Sequence, residues 1–330
     1  MSVGLPQRIS LFHSPSRVLK VAGALSVVPD VNFWMKLDSE LGKFGGGSKI
    51  RNLEFLLGDC VDLCADKIVC PGTILSNFVW SLNSYGALYD LHISLYLLNS
   101  PRTPGGIILD RLKGLESRKT VWRLSSRIRL SIVHLLGLLC PKAMCRLTGI
   151  YFLPVGGASP TGCLGPYQAA AELMRQVEDG AIPMPAAIVV PVGSGGLISG
   201  LYAGLVAGGF NGKLVGVRVG RGPSVLFIKW LARRTLTLVV GSGCNQKQRD
   251  WGNVTLILTD DFKFGGYAQS TAELSSFIQR VKSSCDIQLD GIYTSKTVYA
   301  AVALAKAGTL TGNILLWDTR AGERNADHPT

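Results

Sequence analysis

The sequence predicts an α/β protein of two domains, each with an open, mainly parallel sheet flanked by helices. Apolar runs rich in β-branched residues alternate with stretches of helical periodicity, which is the pattern of parallel sheets. With 330 residues, 47% of them hydrophobic, the chain is long enough to bury a large core and to form two domains. A segment rich in proline and glycine, Pro154–Gly165, is the best candidate for a crossover between them.

The strand and helix predictions rest on the spacing of apolar residues. Short apolar runs of the buried-strand type lie at Lys67–Cys70, His92–Leu98, Ile188–Val192, Leu214–Val217 and Ile314–Trp317. Between such runs, stretches such as Tyr167–Glu178 have the apolar spacing of a helix.

A glycine run places one lysine at the start of a predicted helix. Gly45 to Gly47 lack a Cβ, so the backbone can turn tightly there. After Lys49, apolar residues recur at helical spacing: Ile50, Leu53, Leu56 and Leu57. The positive end of a helix helps to lower the pKa of a lysine beside a cleft, and only a neutral amine attacks a carbonyl. The segment fits a Schiff-base lysine, although a glycine loop before a solvated lysine has the same pattern.

A second glycine loop follows a predicted strand. This strand–loop–helix arrangement continues from Ile188–Val192 into Gly193, Ser194, Gly195, Gly196 and Leu197. Backbone N–H groups of such a loop, together with the helix N-terminus, form an anion site that fits a phosphate. The dinucleotide spacing is absent because Ile198 stands where the third glycine belongs, and no Gly-Lys-Ser/Thr follows. An ordinary tight turn between strand and helix is the alternative.

Five segments in order along the chain resemble those of one enzyme family. They are Gly45–Leu57, Ser76–Asn77, Pro154–Pro160, Gly193–Leu197 and Asp290–Lys296. Together they are similar to segments of fold-type II pyridoxal-phosphate enzymes, in the branch of 1-aminocyclopropane-1-carboxylate deaminases and D-cysteine desulfhydrases. The resemblance, from about Arg8 to Gly322, implies a tryptophan synthase β-like architecture. A large cofactor-binding domain would comprise residues 1–51 and 161–330, with a small domain of residues 52–160 inserted in it.

The resemblance also implies roles for individual residues. Lys49 would hold pyridoxal 5'-phosphate and then act as base at the substrate α-carbon, with Ser76 and Tyr293 as further catalytic residues. The small amino-acid substrate would be bound by Ser76, Asn77, Phe78 and Tyr267. Besides Lys49, the cofactor would be bound by Asn77, Gly193, Ser194, Gly195, Gly196, Leu197, Tyr267, Thr294 and Thr319.

Thr294 distinguishes two activities of this branch. The deaminases have a glutamate after the family tyrosine, whereas desulfhydrase-like members have a threonine, and this chain has Thr294 after Tyr293. The resemblance therefore implies a lyase that eliminates from D-cysteine or a similar β-substituted amino acid, giving pyruvate, ammonia and sulfide or a thiol. A 1-aminocyclopropane-1-carboxylate deaminase is the alternative, and β-replacement also stays open. Phe78, Leu197 and Arg320 depart from the family pattern, which leaves a catalytically feeble cofactor-binding paralogue open.

The net charge of +12 is unevenly distributed along the chain. Between Arg102 and Arg146, ten lysines and arginines accompany only Asp110 and Glu116. The basic and apolar residues of 121–136 fit a helix at a membrane surface or against an acidic partner. We expect instead a helix of the small domain with one face in the core, because so high an apolar content is typical of burial. Membrane contact is therefore not expected. No nucleic-acid-binding motif is present, so we expect no nucleic-acid partner.

Cysteine and histidine spacing indicates no metal site. The eight cysteines and four histidines show no zinc-binding pattern, and free thiols are typical of the cytoplasm. No apolar run reaches the roughly eighteen residues of a membrane-spanning helix. The chain before Asp30 lacks acidic residues, as transit peptides do, but the family resemblance begins near Arg8, so we expect mature sequence. The resemblance favours a homodimer.

Overall fold

The computed structural model describes residues 5–25, 28–44, 46–89, 91–98, 120–124, 127–241, 250–285 and 287–320. The strands in these ranges are β1 (Val18–Val21), β2 (Val31–Leu37), β3 (Lys67–Thr73), β4 (His92–Leu98), β5 (Thr120–Leu124), β6 (Ile150–Phe152), β7 (Ala187–Val192), β8 (Gly212–Arg218), β9 (Val254–Thr259) and β10 (Gly312–Asp318). The helices are α1 (Lys49–Asp62), α2 (Asn77–Gly86), α3 (Arg127–Leu139), α4 (Pro141–Thr148), α5 (Leu164–Glu178), α6 (Gly196–Ala207), α7 (Val225–Val240), α8 (Ala272–Cys285) and α9 (Thr294–Lys306).

The strands form two sheets. Six strands lie in the order β1-β2-β10-β7-β8-β9, and four lie in the order β5-β4-β3-β6. Among the described strands, β1 and β2 pair antiparallel and every other pair is parallel. This topology confirms the predicted α/β class with mainly parallel sheets. The five strand predictions are also confirmed, and the predicted helix 167–178 lies within α5.

Each sheet has its own apolar packing. Residues of α5, α6 and α7 pack on one face of the six-stranded sheet, and residues of α8 and α9 pack on the other. A third cluster joins α1 and α2 to the four-stranded sheet. The N-terminal residues Ile9, Leu11 and Phe12 contact this third cluster. The domain boundaries 1–51 with 161–330, and 52–160, stay a proposal, which the separation of the two sheets supports.

The prediction of a helix over residues 121–136 is wrong for the first part of this range. Residues Thr120–Leu124 form β5, which pairs with β4, because an apolar, β-branched stretch satisfies its backbone at a sheet edge. The helical part, α3, begins at Arg127. Its apolar residues are also less buried than expected: Ile132, Leu135 and Leu139 are each more than half exposed.

Among the described helices, none is by itself long and apolar enough to span a membrane. The helices α3 and α4 meet that length and hydropathy only as a pair, and a bend of 99° separates them. The seven described cysteines are unpaired thiols, and the described residues contain no cluster of three metal-binding side chains.

Candidate active site

A cavity of about 550 Å³ lies where strands of both sheets end. Thr73 ends β3, Gly193 follows β7 and Thr319 follows β10, and all three line it. The carboxyl ends of parallel strands are the usual location of ligand sites in α/β proteins. A volume between roughly 300 and 1,000 Å³ is that of a small-molecule site.

Lys49 is the first residue of α1, and two glycines determine its position. Gly46 and Gly47 have φ values of +119° and +56°, which residues with a Cβ rarely adopt. A Cβ on Gly47 would lie 2.1 Å from the backbone oxygen of Arg320, so the turn packs directly on the chain that follows β10. The Lys49 N–H closes the turn by donating to the Gly46 carbonyl at 3.2 Å. This turn brings Lys49 to the cavity wall.

Burial lowers the pKa of the Lys49 amine to about 8 from an ordinary value of 10.5, while the nearby Cys163 thiol acts in the opposite direction. The cause is the loss of water around the charged form. Within the described part of the chain, no carboxylate forms an ion pair with Lys49. About a tenth of the amine is therefore neutral at pH 7.

The loop after β7 has the geometry of an anion site. Gly195 has a φ of +92° and precedes α6, and a Cβ there would lie 2.7 Å from Cγ of Pro223. The Ser194 Oγ is buried without a hydrogen-bond partner. Gly193, Ser194, Gly195 and Leu197 line the cavity at the N-terminus of α6, whose first N–H groups have no partner within the helix.

Thr319 presents a second buried hydroxyl to the cavity. Its Oγ1 has no hydrogen-bond partner, and its N–H donates to Oγ1 of Thr294 at 3.4 Å. Thr294 is fully buried and donates its hydroxyl to Oδ1 of Asp318 at 3.1 Å. The guanidinium of Arg320 pairs with Oδ2 of Asp318 at 3.0 Å. Thr294 therefore supports Thr319 from behind instead of lining the cavity, and Arg320 does not line the cavity either.

Tyr267 and Tyr293 line the cavity as a pair. The Tyr293 hydroxyl donates to the Tyr267 hydroxyl at 3.0 Å, and the rings meet edge to face with centroids 5.9 Å apart. The carboxylate of Asp290 accepts the N–H groups of Tyr293 at 2.6 Å and Thr294 at 2.8 Å. These bonds fix the start of α9 and the backbone that carries Tyr293.

Lys296 holds the loop that carries Tyr267. Its buried amine donates to the carbonyl oxygens of Lys263 and Gly266, both at 2.6 Å. Burial lowers the pKa of Lys296 to about 8, while Asp290 acts in the opposite direction. The sequence does not predict this role of Lys296, because the loop and α9 meet only in the fold.

The start of α2 contributes two of the three residues predicted there. Ser76 precedes the helix and its Oγ accepts the Val79 N–H at 3.4 Å, while Asn77 is the first helical residue. Both line the cavity. Phe78 does not: it is fully buried, and a Cβ on Gly157 would lie 2.5 Å from its ring. The contact of Phe78 with substrate stays a prediction, and its burial does not support it, because the apolar ring turns into the core of the smaller sheet.

Most of the predicted site residues meet at this cavity. Those that line it are Lys49, Ser76, Asn77, Gly193, Ser194, Gly195, Leu197, Tyr267, Tyr293 and Thr319. Gly196, like Phe78 and Thr294, does not, and a Cβ there would lie 3.3 Å from Cα of Ala158. The individual roles of these residues stay proposals.

His134 on α3 also lines the cavity, and no motif in the sequence predicts it as a site residue. Its Nδ1 accepts the N–H of Val155 at 3.1 Å. Burial lowers the pKa of the imidazole. The only signal in the sequence is a single histidine among the apolar residues of 127–139.

A buried ionic network lies behind Lys49, and no motif in the sequence predicts it. Arg51 donates to Asp38 Oδ1 at 2.8 Å and to Glu172 Oε2 at 3.0 Å, and Lys36 pairs with Glu172 Oε1 at 2.6 Å. The indole of Trp317 donates to Asp38 Oδ2 at 2.8 Å. Burial alone would raise the pKa of Asp38, but the Arg51 guanidinium holds it below its ordinary value. The network ties α1 to β2, β10 and α5, two residues beyond Lys49.

The cavity residues fit the cofactor that the resemblance implies. Among the described residues of the wall, three hydroxyls are buried without a hydrogen-bond partner: those of Ser48, Ser194 and Thr319. The glycine loop can bind a phosphate, the Thr319 hydroxyl can meet a ring nitrogen, and the Lys49 amine can form a covalent bond with a carbonyl carbon. Pyridoxal phosphate requires a group of each kind.

Known proteins match nearly the whole chain. The sequence family described as pyridoxal-phosphate dependent enzyme matches residues 11–319. A putative 1-aminocyclopropane-1-carboxylate deaminase of Pyrococcus horikoshii is 30% identical over 87% of this chain and 83% of its own. A bifunctional D-cysteine desulfhydrase/1-aminocyclopropane-1-carboxylate deaminase of Arabidopsis thaliana is 28% identical over 89% of this chain and 72% of its own.

Solved structures agree with this match. The crystal structure of an ACC deaminase homologue superposes with a TM-score of 0.76 at 27% identity, covering 96% of this chain and 92% of that one. Sequence, fold and cavity chemistry point the same way: the chain belongs to the family of pyridoxal-phosphate dependent enzymes.

Proposed function

We propose that this protein is a lyase that catalyses α,β-elimination from D-cysteine or a similar β-substituted amino acid. With the uptake of one water, the products are pyruvate, ammonia and sulfide or a thiol. The observation that supports this most directly is the Lys49 amine, which faces the cavity, lacks an ion-pair partner among the described residues and has a pKa of about 8. When bound, pyridoxal phosphate supplies an electron sink that stabilises negative charge at the substrate α-carbon.

The N-terminus of α2 binds the substrate carboxylate in this proposal. Ser76 Oγ accepts the Val79 N–H, which leaves the N–H groups of Asn77 and Phe78 for a ligand. A carboxylate is the anion that such a helix start favours. The substrate is then oriented with its α-carbon towards Lys49.

Two sets of groups on the wall move protons. The neutral fraction of Lys49 accepts the proton of the substrate α-carbon at Nζ. The linked hydroxyls of Tyr267 and Tyr293 hold exchangeable protons near the departing β-substituent. The lining of the cavity is mainly apolar, and apolar surroundings strengthen these interactions by lowering the local dielectric constant.

Ring opening of 1-aminocyclopropane-1-carboxylate is the second candidate. Relatives such as that of Pyrococcus horikoshii carry this activity in their name. The threonine at position 294, where deaminases have a glutamate, favours the elimination reaction instead. β-Replacement remains within the same proposal, because it begins with the same loss of the β-substituent.

A direct assay separates these candidates. Purified protein supplied with pyridoxal phosphate is incubated with D-cysteine or with 1-aminocyclopropane-1-carboxylate, and pyruvate, 2-oxobutyrate, ammonia and sulfide are measured. The Lys49→Ala variant is the control. We expect equal amounts of pyruvate, ammonia and sulfide from D-cysteine with the wild type only. Cofactor uptake without turnover of either substrate would favour the feeble paralogue.

A homodimer and a cytoplasmic location are also part of the proposal. Leu226 and Trp230 lie one helical turn apart on α7 and are 78% and 37% exposed, which supports an apolar contact between two copies. Sedimentation equilibrium of the wild type beside a Leu226→Ser variant tests it. A wild type that sediments as a monomer at micromolar concentration would contradict the dimer.

A further inference from the structure

We infer that His134 contacts the substrate and donates a hydrogen bond from Nε2 to the β-substituent. The inference rests on the proposed function and deepens it, because it names the part of the substrate that the protein recognises through this residue. It also separates the two candidate substrates. The sulfur of D-cysteine can accept a hydrogen bond, whereas the ring carbons of 1-aminocyclopropane-1-carboxylate cannot.

The backbone fixes the state of the imidazole. Nδ1 lies 3.1 Å from the N–H of Val155, and a backbone N–H can only donate. Nδ1 must therefore be the acceptor, and the neutral ring has its proton on Nε2. Because burial lowers the pKa of His134, the neutral form prevails at pH 7. His134 lines the cavity, so Nε2 is the ring nitrogen left to bind a molecule there.

Close packing holds this ring in place. One helical turn after His134, a Cβ on Gly137 would lie 2.4 Å from the carbonyl carbon of Leu153 and 2.5 Å from the nitrogen of Pro154. Helix α3 can lie this close to the chain only because residue 137 is glycine. The contact sets the distance at which His134 meets Val155, which directly follows Pro154.

The same stretch of chain reaches the anion loop. A Cβ on Gly156, the residue after Val155, would lie 2.5 Å from Oγ of Ser194. His134, Val155, Gly156 and Ser194 thus form one continuous part of the wall. The imidazole is placed by the segment that also borders the proposed phosphate site.

The other polar ends of an amino acid already have partners. In the proposed function the start of α2 would bind the carboxylate, and the cofactor held by Lys49 would bind the amino group. No carboxylate is among the cavity-lining residues in the described ranges, and Phe78 and Leu75 are buried apolar side chains next to that helix start. A neutral N–H donor in such surroundings selects a substituent with an oxygen, nitrogen or sulfur acceptor.

Two substitutions separate contact with substrate from support of the fold. In His134→Asn the amide oxygen stands near the position of Nδ1, so Val155 keeps an acceptor while nothing replaces Nε2. In His134→Gln the amide nitrogen stands near the position of Nε2, so the donor remains while Val155 loses its acceptor. If His134 only supported the fold, His134→Gln would impair both stability and ligand binding more than His134→Asn does.

The ligands are α-methyl-D-serine and 2-aminoisobutyrate, which differ by one hydroxyl group. Neither has a proton on the α-carbon, so neither can undergo elimination. Dissociation constants are measured on the cofactor-loaded protein. The nitrogen resonances of its four histidines are recorded in parallel, with His134→Asn as the assignment control.

We expect the wild type to bind the hydroxylated ligand roughly fivefold more tightly, as one hydrogen bond predicts. Its Nε2–H resonance should shift with that ligand only. His134→Asn should load cofactor and melt like the wild type but lose the preference, and His134→Gln should retain it. If the cofactor-loaded wild type shows neither the binding preference nor the resonance shift, the inference about His134 is wrong and the proposed function stands. Protein that never attaches cofactor at Lys49 overturns the proposed function, and this inference with it.

Discussion

Replacing Lys49 with methionine should stabilise the cofactor-free protein at neutral pH. Methionine has a similar length and no charge, so it removes the cost of keeping an ammonium in the cavity wall. Burial holds the pKa of Lys49 at about 8 in the folded protein, against 10.5 as the ordinary value. Well below pH 8, Lys49 is protonated in both the folded and the unfolded chain. The folded chain then carries the full free-energy cost of burying the ammonium group.

The magnitude follows from proton linkage. A shift of 2.5 pKa units (10.5 less about 8) corresponds to about 3 kcal/mol at pH 7. Between pH 8 and 10.5 the unfolded chain binds a proton here that the folded chain does not, so wild-type stability rises with pH. At pH 10.5 the remaining penalty is below about 1 kcal/mol. The advantage of Lys49→Met should therefore shrink as the pH rises.

Urea unfolding of both proteins at several values between pH 7 and 10 measures this difference. The other groups that titrate in this range, Lys296 among them, are the same in both proteins and cancel. Lys43→Met is the control, because Lys43 is exposed two residues before Gly45 and we expect that variant to follow the wild type. An advantage of Lys49→Met that is independent of pH would refute the reasoning.

Three further predictions test parts of the site. Arg51→Leu should lower the free energy of unfolding by about 3–5 kcal/mol, because it removes the ion-pair partner of the buried Asp38 carboxylate and leaves Glu172 with Lys36 as its partner. Urea unfolding measures this loss, and a loss below about 1 kcal/mol contradicts the prediction. Gly47→Ala should cost more stability than Gly180→Ala, since both have positive φ but only Gly47 has backbone within 3 Å of the added Cβ. Equal melting temperatures of the two alanine variants would contradict that. Lys296→Met should speed hydrogen exchange in residues 263–268 and raise KM, because the loop that carries Tyr267 loses two hydrogen bonds. Unchanged hydrogen exchange in this loop would show that Lys296 does not position it.

The fold and the two glycine loops could be predicted because their signals are local. Five apolar runs predict strands, and Gly45–Gly47 predicts a turn before Lys49. The inward direction of Phe78 and Thr294 could not be predicted in this way. Each lies next to a residue that lines the cavity. Successive side chains on a helix point in different directions, so the sequence alone does not show which of two neighbours faces the ligand.

The remaining parts of the site depend on long-range contacts. Trp317 and Asp38, which share a hydrogen bond, are 279 residues apart in sequence, and Arg51 and Glu172 are 121 apart. His134 and Val155 are separated by 21 residues and meet through the close packing of α3. No periodicity reports such pairs, because the spacing of apolar residues shows which face of an element is buried but not which distant residue that face meets.

The central claim is that Lys49 holds the cofactor, and chemical trapping tests it most directly. The protein is incubated with pyridoxal phosphate, reduced with borohydride, digested and analysed by mass spectrometry. Lys296 is the informative competitor, because burial lowers its pKa to about 8 as well. We predict the added mass on the peptide that contains Lys49 and no added mass on that peptide in Lys49→Ala. Cofactor attached to Lys296 or to no lysine would contradict it.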